Sequence, residues 1–101
     1  MNGIGNDFKI LRDQTVDGIR YVAAMPSGLV CSSLIEFELH PDGSLHNLRY
    51  QRGCHGNLQA IGRLVEGKDA SSIAELLAGV DCHERGTSCT DQLSRILKSL
   101  K

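Results

Sequence analysis

The amino-acid sequence predicts an α+β domain in which an antiparallel sheet of about three strands is followed by about three helices packed on one face of it. Apolar and polar residues alternate with period two in the first half of the chain, which is typical of strands. In the second half, apolar residues recur at intervals of three and four, which is typical of helices. The 101 residues contain no repeat or linker, so we expect one domain over residues 1–101.

The predicted sheet is built around a hairpin whose turn is Pro-Asp-Gly-Ser at residues 41–44. The strands on either side of this turn cover residues 33–40 and 45–51. Residues 18–24 are a further predicted strand, and residues 8–11 a shorter one. In each hairpin strand, alternate residues are predicted to share a face: Ile35, Phe37 and Leu39 in the first, and His46, Leu48 and Tyr50 in the second.

The three predicted helices have recognisable beginnings and ends. The first runs from Asn57 to a stop at Gly67, and the second is capped by Asp69. The third begins near Ser88, with Asp91 as its capping partner. The expected buried residues are Leu58, Ile61, Leu64 and Val65 in the first helix, Ile73, Leu76 and Leu77 in the second, and Leu93, Ile96, Leu97 and Leu100 in the third.

Charge and composition argue against several classes of partner. A net charge of -1 gives no electrostatic reason to expect nucleic acid or an anionic membrane. No apolar run is long enough to span a bilayer, and residues 1–10 have no signal-peptide pattern. We therefore expect a cytoplasmic protein. In that reducing compartment, clustered cysteines are more often metal ligands or redox groups than disulfides.

The four cysteines lie at the edges of predicted elements. Cys31 precedes the first hairpin strand, on the face of Ser33 and Ile35 that is expected to point to the core, and Cys54 follows the second strand between two glycines. Cys82 lies in a loop, and Cys89 lies in the first turn of the last helix. A hairpin brings the start of one strand near the end of the other, so we expect Cys31 and Cys54 to be neighbours. Four thiolates suit zinc or an iron–sulfur cluster.

Other interpretations of the cysteines remain open at this stage. Their spacing contains no Cys-x-x-Cys pair, and free cysteines are common buried packing residues. His55 and His83 each follow a cysteine, and either could replace a thiolate or hydrogen-bond to one. Thiol redox chemistry is the other alternative, since Cys82 and Cys89 are close in sequence and Cys54, just before a predicted helix, has the setting of a low-pKa thiolate. No Ser-His-Asp arrangement or other catalytic machinery is present in the sequence.

The segment Thr-Ser-Cys-Thr-Asp-Gln-Leu at residues 87–93 resembles the motif that gives the TSCPD domain family its name. The resemblance runs from about Pro26 to Leu100, includes the segments around Cys31 and Cys54, and places all four cysteines on motif positions. Thr90 stands where the name motif has Pro. Residues 1–25 lie outside the recognised part and are expected to add a strand.

The resemblance implies that Cys31, Cys54, Cys82 and Cys89 are metal ligands. Such domains occur alone and at the C-terminus of cobalamin-dependent ribonucleotide reductases, so the implied role is an accessory one, with a ribonucleotide reductase or another protein as partner. One small domain cannot hold the barrel and nucleotide sites of that enzyme. A reductase activity would therefore be inherited from longer relatives, and we expect no enzyme activity from this domain by itself.

A fainter resemblance is to U-type iron–sulfur cluster scaffold proteins, and it implies a scaffold-like fold. Cys31, Cys54 and Cys89 match the three scaffold cysteines in order. Ser33 and Ser88 stand where the scaffolds have Asp and His, and Cys82 has no scaffold counterpart. These departures favour a closed, permanent metal site over a transfer site, although a thiol redox or cluster carrier protein is the alternative.

Overall fold

The computed structural model describes residues 8–28, 30, 32–53, 55–81 and 87–100, and it has the predicted α+β architecture. The strands form one antiparallel sheet in chain order, and the helices follow them. No helix among the described residues is long and apolar enough to cross a membrane. The strands are β1 (Lys9–Val16), β2 (Ile19–Met25), β3 (Leu34–Leu39) and β4 (Leu45–Gln51), and the helices are α1 (His55–Val65), α2 (Ala70–Leu77) and α3 (Cys89–Ser99).

The sheet has four strands, where the sequence predicted about three, because β1 extends well beyond the short stretch expected at residues 8–11. This edge strand is exposed along nearly its whole length, so it lacks the alternation by which half-buried strands are recognised. Asp17 and Gly18, both at positive φ (53° and 84°), connect it to β2. An Asp-Gly pair of this kind is a strong hairpin signal, and it was present in the sequence.

The second hairpin contains a β-bulge that the predicted alternation missed. Glu36 pairs with Arg49 and Glu38 pairs with His46, so β4 carries one more residue than β3 between these pairs. Asn47, at φ 54°, lies in this interval. Because of the extra residue, Leu45 and Leu48 are both buried, whereas His46 was wrongly predicted to share a face with Leu48.

One hydrophobic core joins the sheet to all three helices. Alternate residues of β2 and β3 pack against α3, which buries its predicted stripe almost completely. Leu64 and Leu76 were wrongly predicted to be buried, since they are 68% and 78% exposed. The buried faces of α1 and α2, which carry these two leucines, are narrower than the periodicity suggested. The core consists of Val22, Ala24, Ile35, Phe37, Leu45, Leu48, Val65, Ile73, Ala74, Leu93, Ile96 and Leu97.

Local signals set the helix ends largely as predicted. The Asp69 carboxylate accepts a hydrogen bond from the Ser72 N–H (3.0 Å) at the start of α2, and Ser88 caps α3. Gly67, at φ 75°, follows the end of α1. The first helix begins at His55, two residues before the predicted start. Ser33 is exposed rather than facing the core, because β3 begins only at Leu34 and the alternation does not extend back to it.

Replacing Asp13 by Asn is expected to lower stability at pH 7 and to have a smaller effect at pH 2. Arg20 donates two hydrogen bonds to the Asp13 carboxylate (both 2.7 Å), and these bonds hold its pKa below the usual 3.8. A lowered pKa in the folded state means that the stabilisation is present above pH 4 and is lost as the pH falls through the folded value. The pair is partly exposed, so we expect at most about 1 kcal/mol.

The measurement for this prediction is urea unfolding of wild type and Asp13→Asn at both pH values. Glu75→Gln is a suitable control, because Glu75 is an exposed acidic residue on α2. If Asp13→Asn lowered the free energy of unfolding equally at both pH values, the role assigned to the ionised carboxylate would be contradicted.

Candidate metal centre at the first turn of α3

Cys89 is the cysteine that the described residues include, and it opens α3 with a partly exposed, free thiol. The Ser88 hydroxyl accepts a hydrogen bond from the Asp91 N–H (3.0 Å), which fixes the first turn of the helix. The unpaired N–H groups of a helix N-terminus favour negative charge nearby. The local structure of α3 therefore places the Cys89 thiol in the capped first turn of the helix.

The hydroxyl of Ser32 donates a hydrogen bond to the Cys89 sulfur, with Oγ and Sγ 3.2 Å apart. Ser32 is buried, at 4% exposure, just before β3 begins. Its neighbour Ser33 donates its backbone N–H to the Gln51 carbonyl (2.8 Å), which closes the start of β3 against the end of β4. The open end of this hairpin therefore lies against the first turn of α3.

The segment that leads from β4 to α1 also packs against Ser32. Gly53 has φ 101°, a conformation that favours glycine. A Cβ atom at this position would lie 2.7 Å from Leu58 Cδ1 and 3.4 Å from the Ser32 backbone nitrogen. A side chain at residue 53 would therefore displace Leu58 or the segment that contacts Cys89.

Tyr50 supports the other side of Cys89. Its hydroxyl donates a hydrogen bond to the Cys89 carbonyl (3.3 Å), and its side chain is partly buried. Burial, and to a smaller extent the charge of Cys89, raise the pKa of Tyr50 well above its usual value of 10.0. The hydroxyl therefore remains a hydrogen-bond donor over the physiological pH range.

A groove of about 600 Å³ lies beside these contacts. It is lined by Tyr50, which hydrogen-bonds to the Cys89 carbonyl, and by Gly53, which lies against Ser32. Arg49 and Arg52 add positive charge to its wall, with Glu36 among the other lining residues. The groove thus adjoins two residues that support the Ser32–Cys89 contact.

The remaining polar residues of the 87–93 segment have a structural role. The Asp91 carboxylate is buried, and it accepts hydrogen bonds from the Gly79 N–H (2.7 Å), the Thr87 hydroxyl (2.6 Å) and the Arg95 Nε–H (2.9 Å). Asp91 was predicted only as the capping partner of Ser88. It also fastens the end of the α2 segment to the start of α3.

Gln92 is fully buried and makes two further hydrogen bonds, one of them to a residue 65 positions away. Its Nε2 donates to the Thr87 hydroxyl (3.1 Å), and its Oε1 accepts from the Ser27 backbone N–H (2.9 Å). The segment between β2 and β3 is thereby held against α3. Neither Gln92 nor Ser32 was predicted as a site residue, since their partners are 65 and 57 residues away and no local pattern signals them.

Of the four predicted ligands, Cys31, Cys54 and Cys82 lie outside the described residues, as does His83. His55 is the first residue of α1. Within the described ranges, no group of three or more Cys, His, Asp or Glu residues is arranged to hold a metal ion. The described chain neighbours of two cysteines do meet: Gly53, which precedes Cys54, lies against Ser32, which follows Cys31, and Ser32 in turn hydrogen-bonds to Cys89.

The other two histidines belong to a separate cluster at the closed end of the hairpin. The rings of His40 and His46 are 3.9 Å apart, and each ring is paired with a carboxylate. His40 contacts Glu38 at 3.2 Å, and His46 contacts Glu66 at 2.7 Å. This cluster links the turn after β3 to the end of α1, far along the hairpin from Cys89.

Comparison with protein families gives a match to the TSCPD domain over residues 10–101. The chain belongs to the TSCPD domain family. The match begins at the second residue of β1. It therefore includes the rest of the sheet and all three helices of this TSCPD domain. No curated protein and no solved structure matched the chain.

The naming motif of this TSCPD domain can be related to its structure. Thr87, Ser88 and Asp91 bond to one another or to the backbone at the start of α3, which leaves Cys89 as the motif residue with a reactive group. Thr90, in place of Pro, lies in the first turn with its hydroxyl 3.1 Å from that of Ser88. The Ser88 cap is intact, so the substitution does not disturb the start of the helix.

Proposed function

We propose that this TSCPD domain is a small metal-binding module in which Cys31, Cys54, Cys82 and Cys89 provide four thiolate ligands, with zinc as the preferred metal. One observation carries the proposal: the Cys89 thiol accepts a hydrogen bond from Ser32, the residue after Cys31, and Ser32 packs against Gly53, the residue before Cys54. Three of the four cysteines are thus tied through described residues to one small region.

Chain geometry supports the inclusion of Cys82. The backbone of Gly79 is hydrogen-bonded to Asp91, two residues after Cys89. Cys82 is the third residue after Gly79, and three extended residues span about 10 Å. Cys82 is therefore within reach of the same region.

The donor chemistry fits a soft or borderline metal. Thiolates select zinc or iron–sulfur clusters over hard cations such as Mg²⁺. The Ser32 hydroxyl donates a hydrogen bond to the Cys89 sulfur, and such a contact orients a ligand atom. Bound zinc would supply a redox-inert tetrahedral cross-link, and the four cysteines would hold together the hairpin, α1 and α3.

A thiol redox or cluster carrier protein is the second candidate. The partly exposed free thiol of Cys89 at a helix N-terminus favours it, because accessible thiolates in such positions are reactive. This candidate predicts thiols that alkylate rapidly and form a reversible disulfide.

The test is the metal content, per chain, of protein purified without chelator, measured together with its ultraviolet–visible spectrum. We expect about one zinc ion per chain and a colourless protein. Iron and sulfide with a brown colour would favour the cluster form of the site. Protein that binds no metal even after reconstitution under reducing conditions would refute the metal module and leave the thiol redox candidate.

We further propose that the module acts on a partner protein, with a ribonucleotide reductase as the first to be tested. The support is the resemblance to domains that are joined to such enzymes. Size-exclusion chromatography of the metal-loaded domain with the reductase should show co-elution. Separate elution at concentrations near 100 µM, roughly the weak end of specific binding, would count against this partner.

A further inference from the structure

We propose that Ser32 is a positioning residue of the metal site: its hydroxyl orients the Cys89 sulfur and withdraws electron density from it. This inference rests on the proposed function, because it concerns how one ligand is held. It assigns a role to a serine that the sequence marks only as a small residue after Cys31.

Both partners of the Ser32–Cys89 hydrogen bond are fixed independently of it. Ser32 is buried, and its backbone is held between the β3–β4 pairing next to it and the close approach of Gly53. Cys89 is held by the helix cap and by the Tyr50 hydroxyl on its carbonyl. The 3.2 Å contact between Oγ and Sγ is therefore preorganised.

The adjacent serine shows that this arrangement is specific to residue 32. Ser33 is exposed, and its hydroxyl makes a long 3.4 Å contact with the Gln51 carbonyl instead. A buried hydroxyl is costly unless it has a partner, and the Cys89 sulfur is the partner that the structure provides for Ser32. Two neighbouring residues of the same type thus form a matched pair of test and control positions.

The effect of such a bond follows from the chemistry of ligating atoms. Hydrogen bonds to the ligands of a metal fix their orientation, and their loss typically lowers metal affinity about 10- to 100-fold. A donor on a thiolate also lowers the energy of its lone pairs. Removing it should therefore move sulfur-to-metal charge-transfer bands to longer wavelength.

The experiment uses the full chain with Co²⁺ as a spectroscopic probe in place of zinc. Wild type, Ser32→Ala, Ser33→Ala and Ser32→Thr are compared by competition against a chelator and by the position of the charge-transfer band. We expect Ser32→Ala to bind Co²⁺ about 10-fold more weakly and with a shift to longer wavelength. Ser33→Ala, and Ser32→Thr, which keeps the hydroxyl, should stay close to wild type.

Several outcomes would overturn the assignment. One is a Ser32→Ala variant with wild-type Co²⁺ affinity and an unchanged charge-transfer band. Another is an equal loss of Co²⁺ affinity in Ser32→Ala and Ser32→Thr. A Ser32→Ala chain that does not fold in excess Co²⁺, as judged by circular dichroism, would show that Ser32 is needed for packing. If wild type itself binds no Co²⁺, the proposed function fails as well, whereas the other outcomes leave it standing.

Discussion

The Cys89→Ser variant is expected to lose the bound metal and, with it, most of the stability of the domain. Binding free energy at a structural zinc site is also folding free energy, about 10–16 kcal/mol in zinc-finger peptides. A small domain is stable by only about 5–15 kcal/mol in total. Cys89 opens α3, so loss of this ligand would also remove the metal-mediated link between the helix and the hairpin.

The same experiment on Cys31→Ser, Cys54→Ser and Cys82→Ser tests the complete ligand set. We expect each variant to fall from about one metal ion per chain to almost none, measured by plasma mass spectrometry after gel filtration. His40→Asn is the control, since His40 lies at the closed end of the hairpin and should not affect metal content. Full metal content in any one Cys→Ser variant would contradict a four-thiolate site, and His55→Ala and His83→Ala would then identify the replacement ligand.

The second large effect is expected for Asp91→Ala, which should destabilise the domain by about 3 kcal/mol. The substitution removes the acceptor of three hydrogen bonds, from Gly79, Thr87 and Arg95, in a buried setting. Hydrogen bonds to a charged group contribute about 1.5–3 kcal/mol each, and the part of Arg95 that is exposed can regain water. The expected fall in melting temperature is about 12–24 °C.

Two further variants separate the Asp91 network from general effects of charge. Asp91→Asn keeps the shape and one acceptor, so it should lose less stability than Asp91→Ala. Glu75→Ala removes an exposed helical carboxylate and should stay within about 0.5 kcal/mol of wild type. Thermal and urea unfolding provide the measurements. Equal stability of Asp91→Ala and Glu75→Ala would mean that the buried network contributes nothing.

The sequence predicted those parts of the fold that are set by neighbours along the chain. The caps at Asp69 and Ser88, the turn at residues 41–44 and the buried stripe of α3 are confirmed. The bulge at Asn47 and the full length of β1 were missed. In both cases the ladder to a neighbouring strand, and not a local hydrophobic pattern, decides which residues pair.

In the candidate site, too, local features were predicted and long-range contacts were not. The position of Cys89 in the first turn of α3 was predicted from local signals and is confirmed. The contacts of Ser32, Tyr50 and Gln92 were not predicted, because each joins residues far apart in the chain. Such contacts depend on how the helices pack on the sheet, and no short segment of the sequence determines this packing.

The long-range hydrogen bonds of Asp91 and Gln92 also determine the order in which parts of the domain can fold during synthesis. Gln92 holds the backbone of Ser27, which leaves the ribosome 65 residues earlier. The β3–β4 hairpin can pair as soon as it has emerged, but the segments before Cys31 and Cys82 are fastened only after α3 has been made. The proposed metal site would therefore be completed only after α3 is made, and until then the protection of the earlier thiols would depend on the reducing state of their surroundings.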